Sequence, residues 1–200
     1  MTYVFFHPIT TFIAGALIAV IVLSLVLISC SGPNETPQFV ESYRTAMNKA
    51  GNSGPSDRDA ALKNFTSFLK NVGNKDYIEK NTAKVYAPGS YLNDTLVTHH
   101  GPEEIQAYFL ETADTMTSFE LTIDDSVQSG PDHYIRWTMI FAAPKLSSGK
   151  AIHSVGMSQV RFAPDGKVAF HQDFWDSGQN IYGQIPVVGG MIGIIQKQLD

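Results

Sequence analysis

The chain has 200 residues and carries 14 Lys and Arg against 19 Asp and Glu, a formal net charge of −5. This leaves room for one ordinary domain and an appendage, and a mildly acidic chain with no basic run lacks the electrostatic footprint of a nucleic-acid binder. The lone cysteine, Cys30, excludes an internal disulfide, so the folded part must rest on its core alone.

No Asp, Glu, Lys or Arg precedes Glu35, and ITTFIAGALIAVIVLSLVLIS (9–29) is an uncharged run of 21 residues. As a helix it would extend about 31 Å, enough to cross a bilayer core. Leu27-Ile28-Ser29-Cys30 is similar to a bacterial lipobox, whose cysteine is lipidated and becomes the mature N-terminus. Residues 1–30 are therefore expected to be either a signal peptide with lipidation at Cys30 or an uncleaved anchor helix. Both readings predict a membrane-anchored protein of the cell envelope, on the periplasmic or extracytoplasmic face. Residues 31–56 follow as a tether, SGPNETPQ, and a short helix with Phe39, Tyr43, Ala46 and Met47 at helical spacing.

Ser56-Asp57-Arg58-Asp59 predicts a helix start, and Ala61, Leu62, Phe65, Phe68, Leu69 and Val72 form its apolar stripe up to Gly73. A second helix is expected over 74–87, ended by Pro88-Gly89, then a short strand and loop over 90–101. Pro102, Glu103 and Glu104 suit the first turn of a third helix, 102–116. From there the hydrophobic period changes from about 3.6 to 2. SFELTIDDSVQSG, DHYIRWTMIFAAP, KAIHSVGMSQVRFA and KVAFHQDFWDS are four strand candidates, separated by turn signals at Gly130-Pro131, KLSSG and Pro164-Asp165-Gly166. Residues 179–200 read as an apolar, glycine-rich tail ending in a helix.

Helices followed by an antiparallel meander predict an α+β fold. The alternation of a strand through HQDFWD puts His171, Asp173 and Trp175 on one face and Phe170, Gln172 and Phe174 on the other. Phe65, Leu69, Ile105, Phe109, Trp137 and Phe162 are expected in the core. His99 and His100 are adjacent and diverge, and no thiol is at hand in the domain, so neither a metal site nor a cofactor is expected.

The ordered set "YLND", "GPEEIxxYF", "RWTMIF", "GMSQVRFAPDGKV" and "HQDFWD" resembles the nuclear transport factor 2-like superfamily, in particular its SnoaL-like, polyketide cyclase-related branch. The resemblance runs over residues 58–178, so a domain over 57–178 is expected. It implies a cone-shaped barrel of a curved antiparallel sheet wrapped around about three helices, with a mostly apolar pocket and a homodimer through the sheet. Members include ketosteroid isomerases, cyclases and epoxide hydrolases, and others that only bind.

Asp94 falls where the isomerase resemblance places a proton-moving base; the competing reading is turn chemistry in Asn93-Asp94. Two departures count against steroid isomerisation: LKNFTSFLKNVG has no Tyr for the expected phenol, and Ser158 stands where a protonated carboxylic acid would. The cyclase branch places an acid–base carboxylate at Asp173, with His171 two residues away, about 6.6 Å along a strand. That spacing suits gripping one ligand better than a mutual hydrogen bond, and a structural polar pair is the alternative. Tyr91, Phe109, Trp137, Ser158 and Trp175 are the candidate ligand-binding residues. Three functions follow: a tethered module binding an apolar small molecule, an isomerase- or cyclase-type enzyme using Asp94 or Asp173 with His171, or a protein-interaction module using the outer sheet face.

Overall fold

Short polar side chains start the first helices of the domain. Asp57 accepts the Ala60 N–H at 2.9 Å and opens the helix Arg58–Lys70, while Asn74 accepts from Tyr77 at 3.1 Å and opens Lys75–Val85. The structure, a computed structural model, describes residues 36–185 and 187–199. The chain divides into two compact units, 1–44 and 45–200, the boundary falling within the leading helix. The anchor, lipidation and tether expectations for residues 1–35 lie outside the described residues. Among those described, no helix is long and apolar enough to cross a membrane.

In chain order the elements are α1 (Thr36–Ala50), α2 (Arg58–Lys70), α3 (Lys75–Val85), β1 (Tyr86–Asn93), β2 (Thr98–His100), α4 (Gly101–Thr115), β3 (Ser118–Ser129), β4 (Asp132–Ala142), β5 (Ile152–Phe162), β6 (Val168–Trp175), α5 (Ser177–Asn180) and α6 (Val188–Leu199). Six strands form one sheet in the order β2-β1-β6-β5-β4-β3. The antiparallel meander from β3 to β6 follows the turn signals. The expectation of an all-antiparallel sheet is corrected, because β1 pairs with β6 in parallel. The hairpin to β2 takes one edge of β1, and the last strand of the meander returns to the other edge in the same direction.

A second correction concerns residues 86–93. The helix expected over 74–87 stops at Val85, and Tyr86 already begins β1. Pro88-Gly89 is not a terminator here. It is taken up as an irregularity in the β1–β6 pairing between Tyr86 and Tyr91, with Gly89 at φ +72°.

Helices α2, α3 and α4 supply Phe65, Phe68, Leu69, Ile78, Ile105 and Phe109 to a core completed from the sheet by Tyr86, Leu92, Ile135, Val160, Phe162 and Val168. Its aromatic rings meet edge to face, Phe68 on Phe109 at 5.4 Å and Phe65 on Phe162 at 6.3 Å. The opposite face of the sheet is also covered at β5 and β6. Tyr91 stacks on Phe170 at 5.3 Å, and Gln172 donates to Asn93 at 2.7 Å. Arg161 grips both oxygens of Asp132 at 2.6 and 2.9 Å and donates to the Met47 and Gly51 carbonyls at the end of α1. With both faces covered, Phe170 and Gln172 can be as buried as His171.

Candidate functional site

Register assembles the site. On the inner face β6 presents His171, Asp173 and Trp175, paired with Val160, Ser158 and Gly156 of β5. One strand further, Ile135 lies opposite Ser158 and Trp137 opposite Gly156. A Cβ on Gly156 would come within 2.3 Å of the Trp137 ring. Its absence lets the indole lie across β5 and reach Ser158, Nε1 to Oγ, at 3.0 Å.

From there a continuous chain of hydrogen bonds crosses the site. The Ser158 hydroxyl donates to Asp173 Oδ1 at 2.5 Å, and His171 Nε2 lies 2.8 Å from the same oxygen. The other ring nitrogen, Nδ1, is 3.0 Å from the Tyr86 hydroxyl. One pattern satisfies every atom: Tyr86 donates to Nδ1, His171 donates from Nε2, and Asp173 Oδ1 receives from both His171 and Ser158. Burial raises the Tyr86 phenol well above its usual pKa, and the Asp173 and Tyr108 charges push the same way, so it remains a donor. The His171 ring also packs edge-on against Phe65 at 4.9 Å. The strand spacing alone does not assure a mutual hydrogen bond between His171 and Asp173, but the structure makes one, as the polar-pair alternative expects. The concave side of a bent strand brings the tips of i and i+2 side chains closer than their Cα atoms.

Asp94 approaches from the loop after β1. Its Oδ1 accepts the Leu96 and Val97 N–H groups, each at 2.9 Å, and its Oδ2 accepts the Tyr108 hydroxyl. Its carbonyl accepts Trp175 Nε1 at 2.6 Å. Both readings of Asp94 thus meet in one residue: it caps a tight turn, with Thr95 at φ +77°, and it borders the cavity. Burial, followed by the neighbouring Asp94 charge, raises the Tyr108 phenol far above its ordinary range, so Tyr108 too is a fixed donor.

Between these groups lies a cavity of about 280 Å³. Leu69, Val72, Leu92, Phe109, Phe119, Leu121, Met139 and Phe141 make most of its wall, with Trp137, Trp175 and Ile181. Its polar lining is Asp94, Tyr108, Thr112, Ser158, His171 and Asp173. The side chain of Asp173 keeps 17% of its surface against 1% for His171, so the carboxylate faces the cavity and the imidazole backs it. Both bonds to Asp173 end on Oδ1, which leaves Oδ2 turned to whatever enters.

Of the candidate residues, Asp94, Phe109, Trp137, Ser158, His171, Asp173 and Trp175 are brought to this cavity. Tyr91 is not, which corrects its place among the pocket residues. Leu92 pairs with His171 and faces inward, so its neighbour Tyr91 points to the outer face with Phe170. Ser158 reaches the cavity with its proton already given to Asp173. Tyr86 falls within the helix that the periodicity predicts over 74–87, so the sequence does not mark it as a site residue, whereas Tyr108 stands three positions after Ile105, on the inner face of α4. Cys30 lies outside the described residues, among which no cluster of three His, Cys, Asp or Glu could hold a metal ion.

Comparison with known proteins agrees with this architecture. TsrD from Streptomyces laurentii superposes with a TM-score of 0.52 at 20% identity, covering 65% of this chain and 97% of that one. An LEH-like epoxide hydrolase of M. tuberculosis superposes at 0.50 and 13% identity over 68% of this chain and 96% of its own. An NTF2-like protein of unknown function from Exiguobacterium sp. 255-15 superposes at 0.50 and 12% identity over 58% and 98%. These likenesses show a shared fold. No curated protein sequence matches the chain. The sequence pattern of the SnoaL-like domain matches residues 65–171, more than half of the chain, from Phe65 within α2 to the site histidine, and the protein belongs to that SnoaL-like family.

Proposed function

We propose that this domain, held at a membrane surface through residues 1–30, takes up a mostly apolar small molecule and holds its polar end on Asp173. The observation that carries this is the division of labour on that carboxylate: Oδ1 is saturated by His171 and Ser158, and Oδ2 looks into an apolar cavity. At about 280 Å³ the cavity is at the small end of ligand pockets.

The donors nearest the reacting space have their protons engaged. Tyr86 serves His171, Tyr108 serves Asp94, and Ser158 serves Asp173. The site therefore offers acceptors rather than donors, and it suits a ligand whose apolar body ends in a hydroxyl or N–H group. The same geometry supports a second reading, in which Asp173 removes a proton from the bound molecule with His171 holding the carboxylate in place. Solved relatives include an epoxide hydrolase, so the fold accommodates turnover. The outer-face interaction reading is less favoured, since that face is already occupied at β5 and β6 by Arg161, Met47, Tyr91 and Phe170.

The test is a titration of one- and two-ring apolar alcohols against their parent hydrocarbons, with the intact protein and with Asp173→Asn. Preference for the alcohol, reduced tenfold or more in the variant, is expected, because a hydrogen bond to a buried charge contributes about 1.5–3 kcal/mol. Equal affinity in both proteins would remove Asp173 from the site. A pH-dependent product appearing only with the intact protein would select the enzymatic reading.

A further inference from the structure

The C-terminal helix, α6, leaves an apolar face uncovered. Val188, Met191, Ile192, Ile195 and Leu199 recur at the spacing of one helical stripe, and the helix carries a single charge, Lys197, on the side opposite. None of its residues is buried. Met191, Ile195 and Leu199 keep 59%, 56% and 83% of their surface exposed. A stripe of this kind on one helix is not ordinary scatter of surface hydrophobics.

The helix is tied to the cavity. Asn180 in α5 donates to Ser154 Oγ at 2.9 Å, and the next residue, Ile181, forms part of the cavity wall. Further along, Gly189 packs so closely on the Gly183 carbonyl that a Cβ there would lie 2.1 Å from the oxygen, which seats α6 on the turn between Tyr182 and Gln184. Outside the described residues, the uncharged run 9–29 and Cys30 end only five residues, 31–35, before α1 begins. Five residues reach at most about 18 Å when fully extended.

We propose that α6 is an interfacial helix that lays the Val188–Met191–Ile195–Leu199 stripe on a lipid bilayer. The inference rests on the reading that residues 1–30 hold the protein at a membrane. With one charge in the helix, its adhesion is apolar rather than electrostatic, so zwitterionic lipid suffices and salt has little effect.

The test uses the full chain with vesicles of phosphatidylcholine brominated on the acyl chains. Ile195→Trp and Lys197→Trp put a reporter on the stripe and on the opposite side, read as the difference from the unsubstituted protein with its own Trp137 and Trp175. Both positions are exposed, so neither change should disturb folding. The expected result is flotation of all three proteins, with quenching at 195 at least about twice that at 197, unchanged by salt. Flotation with equal or no quenching overturns the helix proposal and leaves the tether standing. Blue-shifted emission at 195 without quenching also overturns it, since it marks a protein cover such as a second copy or residues 9–29. A chain that does not float sinks tether and helix together.

Discussion

The hydroxyl of Tyr86 lies 3.0 Å from His171 Nδ1, in a place that admits no water-exposed substitute: Tyr86 is fully buried and His171 nearly so. The contact decides which nitrogen of His171 faces Asp173 with a proton. Removing the phenol should therefore be felt at the far side of the ring. Tyr86→Phe leaves a buried acceptor unpaired, which costs about 1–3 kcal/mol. Denaturant unfolding should show that loss, and nitrogen chemical shifts of His171 should report a departure from the tautomer protonated at Nε2. A variant with unchanged stability and unchanged shifts would dissolve the chain from Tyr86 to Asp173.

Gly156 is the counterpart on β5. A methyl group there would meet three atoms of the Trp137 ring at 2.3 to 2.8 Å. Gly156→Ala should displace the indole, break its bond to Ser158 and cost about 1–3 kcal/mol, as overpacked cores do. Near-ultraviolet dichroism and the unfolding midpoint should both change. If neither does, the ring has another resting place, and the Trp137–Ser158 bond does not anchor the site.

These two relationships show where the sequence was legible. The helix stripe of Phe65, Phe68 and Leu69, the four-strand meander and the alternation that turns His171 and Asp173 inward are all local periodicities, and a period can be read without coordinates. What could not be read was long-range. The return of β6 to the edge of β1 made the sheet mixed, turned Pro88-Gly89 from a terminator into an irregularity and moved Tyr86 from a helix into the core. It also placed Tyr91 on the outer face. No property of residues 86–93 alone announces a partner some eighty positions away.

Acid should act through the outer face. Burial by itself would raise the Asp132 carboxyl, but hydrogen bonds from Arg161 and Gln159 and the Arg161 charge outweigh it and hold the group below its ordinary 3.8. A folded-state pKa below the unfolded one contributes stability that is present above about 3.8 and lost as pH falls through the folded value. On the inner face, where its ring packs on Phe162, His133 acts in the same direction: burial first, then Arg58, lowers it, so its share is present above its ordinary 6.5 and fades below it. Asp132→Asn should accordingly be less stable than the intact protein at pH 7, with the gap closing only once the pH falls below about 3.8. Urea midpoints at a series of pH values measure this. A gap that stays constant with pH would remove the ion pair from the acid response.

Membrane attachment is checked separately from the fold. If residues 1–30 are a lipoprotein signal, mass spectrometry of the membrane fraction from a bacterial host should find a mature chain beginning at a diacylated Cys30. An intact Met1 at the N-terminus selects the uncleaved anchor. A soluble, unmodified chain rejects both.

Two carboxylates border one cavity, and they should respond differently to the same change. Asp94 accepts two backbone N–H groups on Oδ1 and the Tyr108 hydroxyl on Oδ2. In Asp94→Asn the amide oxygen can still receive Leu96 and Val97, and the amide nitrogen can donate to the Tyr108 oxygen, reversing that bond rather than deleting it. The turn survives, and binding of an apolar alcohol should stay within about threefold, under 1 kcal/mol. Asp94→Ala removes all three bonds and should cost about 2–4 kcal/mol of stability. Asp173→Asn is the opposite case. The amide oxygen can still accept from Ser158 and His171, but the group turned to the cavity becomes a donor, so an alcohol exchanges a charge-assisted bond to Oδ2 for a weaker neutral one from the amide. Folding should persist while alcohol binding falls tenfold or more. Were Asp94→Asn to abolish binding and Asp173→Asn to spare it, the loop after β1 would hold the ligand, and the network on β6 would be scaffolding.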